Sequence, residues 1–410
     1  MLVKSGGLQT GGEAARIVHA EFDFGFHAYH SLRVHREPRG CPPATGAACD
    51  NGRVKTLRLT VDGAKPNEGR EALAQAAEIL RGGGLVAMPT ETVYGLGANA
   101  LDAAAVARIF AAKQRPSWDP IIVHIAGPVE NNAMLAALVT EIPAAARKLM
   151  AAFWPGPLTL LLPRSAAVPD AVTAGRPLVG IRMPAHPVAF ELIGLAGVPV
   201  AAPSANLFSH TSPTTAEHVL HDLDGRIDAI LDAGPAEHGV ESTVLDPCQS
   251  PMVIYRPGAI TEEQIRAAAG DVEIHRAALI EPGAEAAALP SPGVGIRHYA
   301  PRARVVLVDR PAADLEPAIA AAAEECAGRR VGIMLPSGWS SGRLGGAAVF
   351  DWGRWDVPEE LAAGLYAGLR ALDAAGCEVI VCPVPRAEGI GTAIRDRLRK
   401  AAWTDADGPR

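Results

Sequence analysis

Lys113 and Arg115 stand one residue apart behind an apolar, helix-like segment, and Ser204 and Asn206 repeat that spacing far downstream. An ammonium is a compact charge, a guanidinium a planar fork, and hydroxyl and carboxamide groups are neutral donors. Such a set suits a phosphate group. A blander reading exists for the first pair, because cations are favourable at a helix C-terminus. A second cluster, Pro89-Thr90-Glu91-Thr92-Val93-Tyr94-Gly95, follows the apolar run Leu85-Val86-Ala87-Met88. Its proline interrupts backbone pairing, and its hydroxyls and glycine let a ligand approach the chain closely. No Walker A loop and no Gly-x-Gly-x-x-Gly opening a helix is present, so neither standard nucleotide cradle is available.

These groups need elements to hold them. Runs at 85–88, 121–125, 158–162, 178–183, 198–202, 229–232, 243–245 and 252–255 read as strands. Helices are expected at 72–80, 103–112, 141–152, 188–195, 216–223 and 262–269, with Asp102 as an N-cap and Thr261 with Gln264 as a capping box. Strands alternating with helices imply an α/β fold, and the short connections imply a mixed sheet. The stretch 276–301 has no periodicity and reads as a linker. Beyond it, strands at 305–308, 332–335, 348–350 and 379–382 alternate with helices at 314–327, 359–375 and 390–402, the pattern of a small doubly wound, Rossmann-like domain. Its Gly389-Ile390-Gly391 turn lacks a third glycine and reads as an ordinary strand-to-helix turn. The expected division is an extension at 1–56 without order, a main domain at 57–275, a linker at 276–302, an accessory domain at 303–403 and a tail at 404–410. His19, His27, His30 and His35 in the extension lack a metal-ligand spacing.

Half of the 410 residues are apolar and a fifth are charged, the balance of a water-soluble globular chain. The longest uncharged run, 192–216, holds three prolines and many polar residues, so no membrane-spanning helix is expected. A net charge of −7 argues against a protein built to grip nucleic acid without specificity. The six cysteines form no Cys-x-x-Cys pair and read as reduced thiols, which points to the cytoplasm.

Taken in order, these segments resemble the threonylcarbamoyl-AMP synthase family, which is built on the YrdC-like domain. The resemblance rests on the Pro89–Gly95 loop, Lys113-x-Arg115, Pro120-Ile121-Ile122-Val123-His124-Ile125, Trp154-Pro155-Gly156-Pro157-Leu158-Thr159 and Val179-Gly180-Ile181-Arg182-Met183-Pro184. It continues through Ser204-x-Asn206, Glu241-Ser242-Thr243-Val244-Leu245-Asp246 and Ile254-Tyr255-Arg256-Pro257-Gly258, and Ser291-Pro292-Gly293 and His298-Tyr299-Ala300-Pro301 are similar to the linker of the family's two-domain form.

The resemblance implies a YrdC-like twisted mixed open sheet and an enzyme, a nucleotidyltransferase. It would make threonylcarbamoyl-AMP and pyrophosphate from L-threonine, bicarbonate and ATP, to modify the adenosine next to the anticodon in tRNA. By the same route Lys113 and Arg115 are the catalytic pair on the triphosphate. Asp119, Ser204, Asn206, Ser212, Arg256 and Tyr299 complete the ATP site. Thr92, His124, Arg182, Ala202 and Ser242 surround threonine. For Arg182 two partners stay open, the threonine carboxylate and a buried protein carboxylate. For His124 a ligand contact competes with a satisfied core histidine. His298 and Tyr299 would fold over the pocket and exclude water. Magnesium is expected to arrive with ATP, with no ligand assignable from the sequence. The implied partners are a tRNA threonylcarbamoyl transferase complex downstream and, weakly, tRNA itself. Two other readings are an RNA-binding module for duplex RNA or tRNA, and a carbamoyltransferase-type maturation factor. Against the second, neither an acylphosphatase module nor zinc-binding cysteine pairs are visible.

Overall fold

In chain order the strands are β1 (Cys49–Asp50), β2 (Arg53–Val54), β3 (Leu57–Thr60), β4 (Val86–Met88), β5 (Gly95–Asn99), β6 (Val123–His124), β7 (Leu158–Pro163), β8 (Leu178–Arg182) and β9 (Val200–Ala201). They continue with β10 (Ala229–Asp232), β11 (Thr243–Asp246), β12 (Met252–Arg256), β13 (Val272–Ile274), β14 (Arg304–Val308), β15 (Val331–Leu335), β16 (Ala348–Asp351) and β17 (Val379–Pro383). The computed structural model describes residues 49–50, 53–275, 291, 298–340 and 346–402. Most of the expected extension and linker, Pro292 and Gly293 included, and the tail lie outside the described residues.

Eleven strands form one sheet, ordered β13-β12-β11-β7-β8-β6-β9-β5-β4-β10-β3. It is mixed, as expected: β5 is antiparallel to both β4 and β9, whereas β6 and β8 run parallel. The edge strand β3 pairs in parallel with β10. Strand β5 was not anticipated, because the sequence Gly-Leu-Gly-Ala-Asn reads as a loop. Its glycine serves packing instead. A Cβ on Gly97 would lie 2.8 Å from Val200 Cγ1 and 3.1 Å from the Val86 carbonyl oxygen, so only glycine fits between β4 and β9. The helices Arg70–Arg81 and Pro187–Ala196 cover one face of this sheet through Leu73, Leu80, Leu192 and Ile193, all fully buried. The helices Ala103–Lys113 and Ala144–Phe153 bury Ile109 and Leu149 on the other.

The C-terminal part is a four-stranded parallel sheet, ordered β14-β17-β15-β16. Alternation along the strands explains why helices cover both faces. Val379 and Val381 of β17 pack with Leu315 and Ile319 of the helix Ala312–Glu325. Ile380 and Cys382 turn the other way, toward Leu365 of the helix Pro358–Ala374 and Ile394 of the helix Gly391–Ala402. That second face also carries Val93, Val240 and Tyr299, so the two sheets share one apolar cluster. No helix among the described residues is long and apolar enough to cross a membrane.

Candidate active site

The loop after β4 is folded on its own hydroxyls. Thr90 Oγ1 donates to the Val93 carbonyl at 2.6 Å and meets Thr92 Oγ1 at 2.9 Å. Tyr94 is fully buried and packs the loop, donating its hydroxyl to the Gly234 carbonyl at 2.6 Å. The turn aims Thr92 at the end of β8, where Arg182 Nη1 donates to Thr92 Oγ1 at 2.8 Å and Nε to the Gly156 carbonyl at 3.3 Å. The same guanidinium lies 2.6 Å from Glu91 Oε1. Of the two partners left open for Arg182, the structure supplies the protein carboxylate. Burial alone would raise the Glu91 carboxyl, but Arg182 and the Ala185 N–H hold it below the usual range. His124, on β6, pairs with Arg182 across the ladder. Burial and then the Arg182 charge press its imidazole down to about 3, so the ring is neutral at physiological pH. Its Nδ1 has no hydrogen-bond partner among the described residues.

The helix Ala103–Lys113 is capped by the Asp102 side chain, as expected, and ends at Gln114 with a left-handed φ of 54°. That turn directs Lys113 and Arg115 to different tasks. Lys113 Nζ donates to the carbonyls of Ser204 and Asn206, each at 2.5 Å, and so braces the turn that follows β9. Burial, then the neighbouring Arg115, push this ammonium well below its ordinary value. Arg115 donates to the carbonyls of Asp119 and Pro120 at 3.2 and 2.8 Å and lies 2.9 Å from Asp119 Oδ2. Asp119 is thereby the counter-ion of a buried guanidinium, the partner such a charge requires. Asn206 Nδ2 donates to the Leu207 and His210 carbonyls, and Ser212 Oγ donates to Glu241 Oε1 at 2.6 Å.

At the other end of the site, Arg256 at the close of β12 donates to the carbonyl and the Oγ of Ser242, both at 3.1 Å. Ser242 Oγ also meets Thr159 Oγ1 at 2.8 Å. The adjacent Glu241 is buried and receives three groups: the Ser212 hydroxyl, the Tyr366 hydroxyl at 2.9 Å and Arg397 Nε at 2.9 Å. Tyr366 and Arg397 come from the C-terminal helices. Tyr299 has a left-handed φ of 64° and a buried ring. That ring stacks on Tyr366 at 5.7 Å between centroids and lies under the Arg397 guanidinium at 5.2 Å. His298 packs against it at 4.3 Å.

An open cleft enclosing about 550 Å³ lies where these elements meet. Thr92, His124, Arg182, Ala202 and Ser242, the whole set expected around threonine, line it together with Arg115, Ser204, Arg256 and Tyr299 from the set expected around ATP. Lys113, Asp119, Asn206 and Ser212 do not line it. They stand behind the wall: Lys113 and Asn206 donate to backbone carbonyls, Asp119 pairs with Arg115, and Ser212 donates to the Glu241 carboxylate. Sequence reasoning quoted Glu91 and Glu241 within motifs but gave neither a role, and it missed Tyr366 and Arg397. A signal existed for Arg397: it shares a buried helical face with Ile394, Leu398 and Ala401, where a charge demands a partner. Among the described residues no group of three or more His, Cys, Asp or Glu side chains is placed to hold a metal ion.

Comparisons with known proteins agree along the chain. A family model described as telomere recombination matches residues 78–258, and one described as threonylcarbamoyl-AMP synthase, C-terminal domain, matches residues 260–403. The threonylcarbamoyl-AMP synthase of Pyrococcus abyssi is 45% identical over 331 residues, spanning 80% of this chain and 93% of its own length. That of Bacillus subtilis is also 45% identical over 331 residues, spanning 80% and 92%. The crystal structure of Pyrococcus abyssi Sua5 complexed with L-threonine superposes with a TM-score of 0.74 at 42% identity, covering 85% of this chain and 98% of the other.

Proposed function

This chain belongs to the threonylcarbamoyl-AMP synthase family in its two-domain form, and we propose that it joins L-threonine, bicarbonate and ATP into threonylcarbamoyl-adenylate. The observation that carries this reading is one cleft lined by Arg115, Arg182 and Arg256 with the hydroxyls of Thr92, Ser204 and Ser242. In the reaction the threonine amine attacks the carbon of bicarbonate, and water leaves with formation of a carbamate. A carbamate oxygen then attacks the α-phosphorus, the bond to the β-phosphate breaks, and pyrophosphate departs. Such chemistry asks for alignment and for stabilisation of spreading negative charge, not for a protein nucleophile.

Arg182 and Thr92 would take the threonine carboxylate. Neutral His124 would offer a polar contact without charge beside it. Arg115, Ser204 and Arg256 would face the triphosphate, with Lys113, Asp119, Asn206 and Ser212 fixing the surface that does so. ATP would bring magnesium with it, whose charge would offset that of the phosphates; among the described residues no group of three or more His, Cys, Asp or Glu side chains is placed to hold the ion. Tyr299 and His298 would shield the adenylate from hydrolysis. We place the reaction in the cytoplasm, with the adenylate consumed by a tRNA threonylcarbamoyl transferase complex and at most a weak contact with tRNA itself.

The test mixes purified protein with ATP, threonine and bicarbonate and weighs the product by mass spectrometry. Threonine-dependent release of pyrophosphate with an adenylate of the expected mass supports the reading. ATP turnover indifferent to threonine and bicarbonate would overturn it.

A further inference from the structure

Glu241 sets a carboxylate into the wall of a cleft that, on the reading above, must accept a triphosphate. Left as a bare charge, that carboxylate would repel the substrate, since like charges brought together at an interface oppose binding. Within the main sheet region Ser212 gives it one neutral hydroxyl, and Arg256, hydrogen-bonded to Ser242, acts on it only through its field. The charge in direct contact with it comes from the C-terminal part.

We infer that Arg397 and Tyr366 are positioning residues for the nucleotide: together they cancel the Glu241 charge and brace the Tyr299 ring, so that the cleft takes an anion. Both side chains in the ion pair are buried, Arg397 to 1% and Glu241 to 8% exposure, so the attraction is little screened. Tyr366 donates to the same carboxylate and stacks on Tyr299. The Arg397 guanidinium also lies over the Tyr299 ring, where the π-face favours a cation. A neighbouring carboxylate, Asp396, pairs with both Arg397 and Lys400, so on this buried face two cations balance the two carboxylates Glu241 and Asp396. The C-terminal domain is therefore part of the nucleotide site, although neither Arg397 nor Tyr366 lines the cleft.

This inference rests on the cleft being an ATP site, and the experiment separates the two. Adenylate synthesis is measured in the full-length wild type, Arg397→Gln and the double variant Glu241→Gln/Arg397→Gln, with KM determined separately for ATP and threonine. Failure of the wild type to make adenylate would sink the functional reading itself. With the wild type active, Arg397→Gln should raise KM for ATP by about 10- to 100-fold, the scale of one uncompensated like charge at a binding site, and leave KM for threonine within about threefold. Removing the Glu241 charge as well should recover most of that loss. Recovery of soluble, threonine-binding protein for the double variant when Arg397→Gln alone is insoluble would support the inference equally. An unchanged KM for ATP in Arg397→Gln, an equal rise in both KM values, or a double variant no better than the single would each overturn it.

Discussion

Of the buried arginine–carboxylate pairs at the cleft, two are built differently. Arg182 and Glu91, 2.6 Å apart, both belong to the main sheet, at the end of β8 and in the loop after β4. Arg397 and Glu241, 2.9 Å apart, lie 156 residues from each other and join a C-terminal helix to the segment before β11. The first pair is held by the sheet whatever the C-terminal part does. The second exists only while that part is docked. On the proposed reading, the same chemistry gives the threonine end a fixed wall and makes the nucleotide end depend on the packing of two folded regions.

The contrast is broken most directly by Arg182→Ala. It strands Glu91 as a buried, unpaired charge, so stability should fall by about 3–5 kcal/mol and threonine binding should vanish in calorimetry. A loss below about 1 kcal/mol in denaturant melts would mean that the pair does not hold this wall. Arg370 tests the docking. It sits 2.8 Å from Asp222 Oδ2 and donates to the Thr211 and Ser212 carbonyls, tying the helix Pro358–Ala374 to the segment that carries Ser212. Arg370→Ala should cost about 2–3 kcal/mol and weaken ATP more than threonine, read as the ratio of the two KM changes.

The main sheet region also holds two histidines that burial keeps neutral. His124 beside Arg182 is pressed to about 3 and His218 near Arg370 to about 4, against an ordinary 6.5. In both cases the unfolded chain binds a proton that the folded chain refuses. Stability is therefore fully present above about 6.5 and declines as pH falls toward those values. Acid titration of the melting temperature should show this slope, and His124→Gln should flatten it; a slope unchanged in that variant would assign it elsewhere. The smallest effect belongs to Asp102, which caps the helix leading to Lys113 by accepting from the Ala104 and Ala105 N–H groups. Asp102→Ala should cost about 1 kcal/mol with both KM values unchanged, and a shift in either would show that the helix is poised rather than merely stable.

Much of the fold was legible because apolar periodicity marks buried faces. The strands at 229–232 and 243–246 and the helices Ala216–Leu223 and Glu262–Ala269, the second with its Thr261–Gln264 capping box, fall where the pattern placed them. What failed was decided by tertiary neighbours. Gly95–Asn99 looks like a turn until Val86 and Val200 close on it from both sides. Strands β6 and β9 are shorter than their apolar runs, because residues around 122 and 202 bend into the cleft wall. At the site, the five side chains expected around threonine all line the cleft. They did not distinguish groups facing the cleft from groups behind it, since Lys113 and Arg115 share a motif and differ only by the left-handed turn between them. The buried helical face marks Arg397 as a charge in need of a partner, but not which one, because Glu241 lies 156 residues away.

The edge pairing of β3 with β10 sets a timetable for synthesis. Leu57 aligns with Ala229, and the Thr56 hydroxyl donates to the Ile227 carbonyl across 171 residues. A nascent chain leaving the ribosome carries its first long strand unmated until almost the whole main sheet has emerged. Closing so long a loop is slow, so that strand must dock late, onto a sheet already assembled from the strands between. The N-terminal rim of the sheet is then a late seam, closed only once β10 has emerged, and a place where stalled translation would leave backbone donors open to the wrong neighbour.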